Sequence, residues 1–141
     1  MRLFLDANVL VAILNKEYPV FSYAAKIISL SDRPEFHLFA SPTSIAIAFY
    51  FSSKKCGEAR SKEKIKILLE HIRISTVDEQ CTLRAAKNRS VTDLEDGIQY
   101  YSAVGESCEF IISENVKDFH FSEIKVVDCE SFLKHGLRIR D

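Results

Sequence analysis

Short apolar runs alternate along this chain with longer stretches of helical periodicity, and that alternation restricts the fold more than any other feature. Strand-like runs occupy residues 2–5, 36–40, 108–112 and 124–127, with a weaker candidate at 74–77. Each is too brief for a stable helix and is bounded by turn or capping residues. The stretches between them read as helices. Strands separated by helices favour a mostly parallel sheet with helices packed on both faces. Two or more helices fall between successive strands in places, so the fold is not a plainly alternating one.

The helical signals are local and specific. The run Asn8-Val9-Leu10-Val11-Ala12-Ile13-Leu14 is apolar, and a second helix starts near Tyr18-Pro19, with Val20, Ala24, Ile27 and Ile28 on one face. Asp32-Arg33-Pro34 reads as a turn. Ser41-Pro42 has the order of an N-cap and a first-turn proline. The helix beyond it, through Ile45, Ile47, Phe49, Tyr50 and Phe51, is apolar almost all round and is predicted to be largely buried. A later helix presents Ile65, Leu68, Leu69 and Ile72 as a stripe. Asp78 caps a helix through Leu83 to Ala86, and Thr92 or Asp93 caps the next, with Leu94, Ile98, Tyr101 and Ala103 inward. The last helix covers Glu130 to His135.

At 141 residues, 47% of them hydrophobic, the chain is predicted to form a single domain, residues 1–141, with a sizeable core. The net charge of −1 excludes a polyelectrolyte that coats nucleic acid indiscriminately. Cys56, Cys81, Cys108 and Cys129 form no Cys-x-x-Cys pair and have no histidine at zinc-finger spacing. They read as reduced thiols of a cytoplasmic protein. The apolar stretch after Met1 is broken by Asp6 and Asn8, against a signal peptide. No run approaches the ~20 apolar residues of a membrane span.

Three acidic positions stand at strand ends or helix starts: Asp6, the group Asp93-Leu94-Glu95-Asp96, and Asp118. Each alone reads as a helix cap or a favourable first-turn charge. Together they read differently. Parallel topology brings the carboxyl ends of neighbouring strands to one sheet edge, where open α/β folds place their chemistry. Asp6 and Asp118 converge there if strands 2–5 and 108–112 are neighbours. Asp96 begins the helix that runs back into the second of these strands. Carboxylates gathered this way repel and raise one another's pKa. A divalent cation relieves the conflict, and Mg2+ or Mn2+ needs only a few oxygen ligands because it keeps several waters.

Three segments carry a resemblance: Leu5-Asp6-Ala7-Asn8-Val9-Leu10, Asp93-Leu94-Glu95-Asp96-Gly97-Ile98-Gln99-Tyr100 and Ile112-Ser113-Glu114-Asn115-Val116-Lys117-Asp118-Phe119. In order and spacing they resemble the opening, central and closing motifs of PIN-domain ribonucleases of the VapC-like kind. The resemblance spans nearly the whole chain. It implies a PIN-like three-layer α/β/α sandwich and a Mg2+- or Mn2+-dependent endoribonuclease. It also implies the toxin of a toxin–antitoxin pair, with an RNA substrate, an antitoxin protein partner and a homodimeric state. Asp6, Asp96 and Asp118 match the family's metal-site and catalytic acids. Asn8, Ser41, Ser113 and Asn115 match its supporting polar positions; Glu95 and Asp93 match no invariant ligand of the family, though either could reach a second metal through water. The family commonly places a Glu a turn or two past the position of Ser41. Here the segment reads Ser44-Ile45-Ala46-Ile47-Ala48, with no acid before Glu58, and Ile47 stands at the equivalent position. The chain thus resembles a bacterial subgroup that lacks this acid.

The remaining features read in two ways. Lys54, Lys55, Arg60, Lys62, Lys64 and Lys66 offer either phosphate contacts or a solvated helix face, and the tail from His135 to Arg140 is similar. Tyr100 and Tyr101 offer base stacking, with core packing favoured for Tyr101. His37, His71, His120 and His135 are dispersed, which speaks against histidine-based catalysis. Two functions stay open: a metal-dependent RNase, and a PIN-fold module that binds RNA or protein without cleaving.

Overall fold

A computed structural model describes residues 1–137. Part of the basic tail, residues 138–141, lies outside the described residues. Five strands form one sheet: β1 (Arg2–Leu5), β2 (His37–Ala40), β3 (Arg73–Ile74), β4 (Phe110–Ile112) and β5 (Lys125–Val127). Their spatial order is β3-β2-β1-β4-β5, and every pairing is parallel. Helices α1 (Ala7–Asn15) and α2 (Val20–Ser29) connect β1 to β2. Helices α3 (Pro42–Cys56) and α4 (Glu58–Leu68) lead to β3, α5 (Glu79–Lys87) and α6 (Leu94–Gly105) lead to β4, and α7 (Cys129–Lys134) follows β5.

Strand side chains alternate between two cores, as the period of a strand requires. Leu3, Leu5, Leu38, Ala40, Phe110 and Ile112 face one side and pack with residues of α1, α2, α3, α4 and α7. Phe4, Phe39 and Ile111 face the other and pack with Tyr100 and Ala103 of α6 and with Phe119. Because both faces are covered, the strands read as continuous apolar runs. Burying one large side chain such as Phe4 or Phe132, both fully buried, stabilises the fold by about 1.5–3 kcal/mol.

Capping residues fix where the helices begin. Asp6, Ser41, Asp78, Asp93 and Asp128 each accept a backbone N–H of the first turn of α1, α3, α5, α6 and α7. The far end of α1 is closed by two lysines of the basic stretch. Lys55 Nζ donates to Asn15 O at 2.8 Å and Lys64 Nζ donates to Leu14 O at 3.0 Å. Cations there satisfy orphan carbonyls and complement the helix dipole, so these two lysines have a structural role. The opposing helices α5 and α6 approach closely at Gly97. A Cβ there would lie 2.6 Å from Val91 Cγ1 and 2.9 Å from Ala85 Cβ.

Several expected details are corrected. Helix α3 is not buried all round. It turns Ser44, Ala48 and Ser52 inward, while Tyr50 and Phe51 stand out. Small residues every fourth position let α3 lie against its neighbours, Ile45 and Phe49 pack half-buried against the core, and Tyr50 and Phe51 fall on the outer side. In α6 the inward face is Gly97, Gln99, Tyr100, Ser102 and Ala103, and Leu94 is exposed. Tyr100 is the core tyrosine, in edge contact with Phe121, whereas Tyr101 is half-buried under the Arg84 guanidinium. The stripe after Ile65 loses Leu69, which is exposed beyond the end of α4. The strand expected at 74–77 is the two-residue β3, and β4 starts at Phe110, with Cys108 buried just before it. All four cysteines are free thiols. Burial pushes the Cys108 thiol up to about 12 and the Cys129 thiol higher as well, so both are inert packing residues.

Candidate active site

The ladder between β1 and β4 sets the first part of the site. Leu5 pairs with Ile112 at the end of the strands. Asp6 N then donates to Ile112 O at 3.0 Å, and Ser113 N donates to Val127 O at 3.0 Å. Asp6 and Ser113 therefore emerge side by side at the carboxyl edge of the sheet, as the parallel arrangement predicts.

Asp6 is held by three donors. Its Oδ1 accepts the Ala7 N–H at 2.8 Å. Its Oδ2 accepts the Ser113 hydroxyl at 2.8 Å and Asn8 Nδ2 at 3.3 Å. Asn8 Nδ2 also reaches Ser113 Oγ, and Asn8 Oδ1 accepts the Glu114 N–H at 3.1 Å. Ser113 Oγ in turn accepts the Asn115 N–H at 3.0 Å. The first and third sequence segments are thus tied into one network around a single carboxylate. That carboxylate is only 8% exposed.

The second segment supplies the opposite wall. Asp93 Oδ1 accepts the N–H groups of Glu95 and Asp96 at 2.9 and 3.4 Å, which places both acids in the first turn of α6. Asp118 lies in a 3-10 turn, Val116–Phe119, anchored by buried Phe119. Asp6, Asp96 and Asp118 line one cleft of about 440 Å3, together with Asn8, Glu95 and Asn115. Ile47, the position at which the family resemblance expects an acid, lines it too. Ser41 does not line it. It is fully buried, caps α3 through the Ser44 N–H at 3.0 Å, and bonds to the Gln99 amide oxygen.

The carboxylates feel one another. Burial raises the pKa of Asp6, and the Asp118 charge adds to this, against the bonds from Ser113, Ala7 and Asn8. Partial burial pushes Asp96 up to about 7, helped by the charges of Asp93, Asp6, Asp118 and Glu95. Glu95 is raised by burial, then by Asp93 and Asp6. Raised carboxyl pKa values from desolvation and like charge mark a place where a cation is favoured. Among the described residues, no group of three or more His, Cys, Asp or Glu side chains stands close enough to hold a metal ion as the side chains lie. The donor chemistry fits a hard divalent ion all the same: the available donors are carboxylate oxygens, and among the described residues no basic one lines the cleft to neutralise them.

Four lining residues were not singled out for the site from the sequence: Ala7, Val11, Glu17 and Phe51. Phe51 follows Ile47 at i+4 and so shares its helix face. Glu17 sits just past the left-handed Lys16 that ends α1, a loop position with no periodic signal. A second groove, lined by apolar residues such as Ile45, Phe49, Ile65 and Ile74, shares no residue with the acidic cleft.

Known proteins match this arrangement along almost the whole chain. Ribonuclease VapC1 of Aquifex aeolicus is 30% identical over 135 residues, covering 93% of this chain and 92% of that protein. Two toxin–antitoxin structures share the fold at 20% identity. VapBC2 from Rickettsia felis, bound to a DNA fragment from their promoter, has a TM-score of 0.70 and covers 91% of this chain and 98% of its own. VapBC-1 from nontypeable Haemophilus influenzae has a TM-score of 0.71, with 92% and 99% covered. Mycobacterium tuberculosis VapC20, a sarcin–ricin loop cleaving toxin, is 13% identical with a TM-score of 0.65, over 87% of this chain and 98% of its own. The sequence pattern of the PIN domain matches residues 2–117, which include the β1–β4 junction, the acidic start of α6 and the segment after β4. The parallel five-stranded sheet with these acids at its carboxyl edge is therefore a PIN domain, and the chain belongs to the PIN-domain family.

Proposed function

We propose that this protein is an endoribonuclease, the toxin of a toxin–antitoxin pair, and that it depends on Mg2+ or Mn2+. The observation that carries the reading is the shared cleft of Asp6, Asp96 and Asp118, in a chain similar to a VapC ribonuclease. Asp6, Asp96 and Asp118 hold the cation. When bound, such an ion supplies water activation and charge neutralisation at a phosphodiester. Asn8 and Ser113 fix the orientation of Asp6 through the bonds described above. Asn115 and Glu95 line the cleft within reach of substrate or of a metal-bound water. Among the described residues no serine, cysteine or histidine lines the cleft as an alternative nucleophile or base.

The substrate in this reading is RNA. The partners are an antitoxin protein, in line with the VapBC complexes that share the fold, and a second copy of the chain. We read residues 1–141 as one domain acting in the cytoplasm. No helix among the described residues is long and apolar enough to cross a membrane. A second reading, a PIN-fold module that binds without cutting, is favoured by one feature: Ile47 stands in the cleft where the family resemblance expects an acid.

Cleavage of RNA by the purified protein separates the two. With Mn2+ the wild type is expected to cut, and chelator is expected to stop it. Asp6→Asn keeps the size of the side chain and removes its charge, so it is expected to stay folded and lose cleavage. A wild type that cuts no RNA with any divalent ion leaves the binding module as the function. An Asp6→Asn variant that cuts as well as wild type removes the three-acid site.

A further inference from the structure

The cleft has two unlike walls. One is acidic, made by Asp93, Glu95, Asp96 and Asp118. The other is mostly apolar, made by Val11 of α1 with Ile47 and Phe51 of α3, with Glu17 as its one acid just past the end of α1. Phe51 is 49% exposed, and its neighbour Tyr50 is 53% exposed. The two rings meet edge to face, with centroids 5.3 Å apart. Lys54 Nζ lies 4.2 Å from the Tyr50 ring centroid and gives this edge of the cleft a cation.

The electrostatics of the cleft restrict what this wall can hold. Among the described residues none that lines the cleft is basic, so a nucleic-acid strand gains no attraction from these side chains and meets a cluster of carboxylates. A bound cation offsets that charge at the scissile phosphate only. The flanking nucleotide needs another source of affinity, and an apolar wall ending in an exposed aromatic ring supplies one. Stacking on a ring is indifferent to phosphate charge and tolerant of base identity. Lys54, one turn beyond, stands where it can meet the adjacent phosphate as the strand leaves the acidic region.

Resting on the nuclease reading above, we infer that Phe51 is the stacking platform for an unpaired base next to the scissile phosphate, with Tyr50 and Lys54 extending the track outward along α3. Such a platform takes only an unpaired base, since a base inside a duplex has no free face to offer.

Binding of a fluorescent single-stranded RNA to the Asp6→Asn protein tests this, with Phe51→Leu and Phe51→Trp added to that background. Leu keeps an apolar side chain without the ring face, and Trp keeps the ring. Losing one base stack weakens binding by roughly 5- to 140-fold, from about 1–3 kcal/mol at 1.4 kcal/mol per tenfold. The Leu variant is expected to show that loss and the Trp variant to recover most of it. An oligonucleotide with one abasic position, moved along the strand, should bind weakly at a single register, and the Leu variant should erase that register. Equal binding by the parent and Phe51→Leu overturns the inference. So does unchanged RNA binding with altered sedimentation, which would make this wall a protein contact. If the wild type fails to cleave but Phe51-dependent binding is seen, the nuclease reading falls and the stacking site stands. If the wild type cleaves and binding ignores Phe51, the reverse holds.

Discussion

Replacing Asp96 by Asn is expected to make the metal-free protein more stable at alkaline pH while abolishing cleavage. Partial burial and four neighbouring acids push the Asp96 carboxyl from 3.8 to about 7. The sign follows from proton binding. Below pH 3.8 the group is protonated in both folded and unfolded chains and has no effect. Between 3.8 and about 7 the folded protein keeps the proton that the unfolded chain has lost, so stability falls as pH rises. Above 7 the full penalty applies. Taken without screening, the displacement corresponds to roughly 4 kcal/mol at 1.36 kcal/mol per decade. Asp96 is only partly buried, and solvent screening reduces this to on the order of 1–2 kcal/mol. For a chain of this size that is about 3–8 °C in melting temperature. The assay is thermal or urea denaturation of wild type and Asp96→Asn with chelator present, at pH 8 and pH 4.5. The gain at pH 8 minus the gain at pH 4.5 isolates the charge, because packing changes contribute at both. Adding Mn2+ should then stabilise the wild type at pH 8 and the variant far less. A variant that gains no more at pH 8 than at pH 4.5 would show that these carboxylates do not burden the fold, and the electrostatic case for a cation would be lost.

Ile47→Glu restores a fourth carboxylate to the cleft and is expected to tighten Mn2+ binding by about tenfold, ~1.4 kcal/mol; unchanged affinity by calorimetry would mean that Ile47 is not the missing ligand position. Ser113→Ala removes a 2.8 Å bond to the Asp6 carboxylate and is expected to cost about 1.5–3 kcal/mol. In an Asp6→Asn background the cost should shrink, and a double-mutant cycle in denaturant reads the difference. Gly97→Ala forces a Cβ to within 2.9 Å of Ala85 Cβ and closer to Val91, so denaturation should show a loss of about 1–3 kcal/mol from overpacking between α5 and α6.

The sheet was legible in the sequence because strands buried on both faces announce themselves as unbroken apolar runs. Leu3-Phe4-Leu5 and Phe110-Ile111-Ile112 each divide their residues between two cores, which leaves no polar position to blur the signal. Strand β3 was overcalled because only Arg73 and Ile74 pair at the sheet edge and both are exposed. Helix faces were harder to assign. In α3 the sequence signal came from Ile45, Ile47, Phe49, Tyr50 and Phe51, yet the buried positions are Ser44, Ala48 and Ser52. Hydropathy counts what a residue prefers. The inward face of α3 was chosen for what fits between closely approaching elements, and a serine satisfied by hydrogen bonds passes that test. The same reasoning explains α6, where Gly97 and Ser102 point in and Leu94 points out.

The site divides along the same line. Asp6, Asn8 and Ser113 were legible because each sits within three residues of a strand end, and a parallel ladder carries such residues to one edge whatever the loops do. Ser41 was legible as a helix cap: strand β2 delivers it to that edge, and its hydroxyl turns inward to cap α3 and meet Gln99 rather than to line the cleft. Glu17, Val11 and Phe51 could not be read from strand ends at all. They reach the cleft because α1 and α3 pack against each other over it, and that packing depends on the small inward residues that hydropathy misjudged. The misreading of α3 and the omission of Phe51 are thus one error. Once Ala48 and Ser52 are placed inward, Ile47 and Phe51 must both lie off the buried face, on the side facing the acids. The exposed ring that looked like core in the sequence then becomes the apolar wall of the cleft.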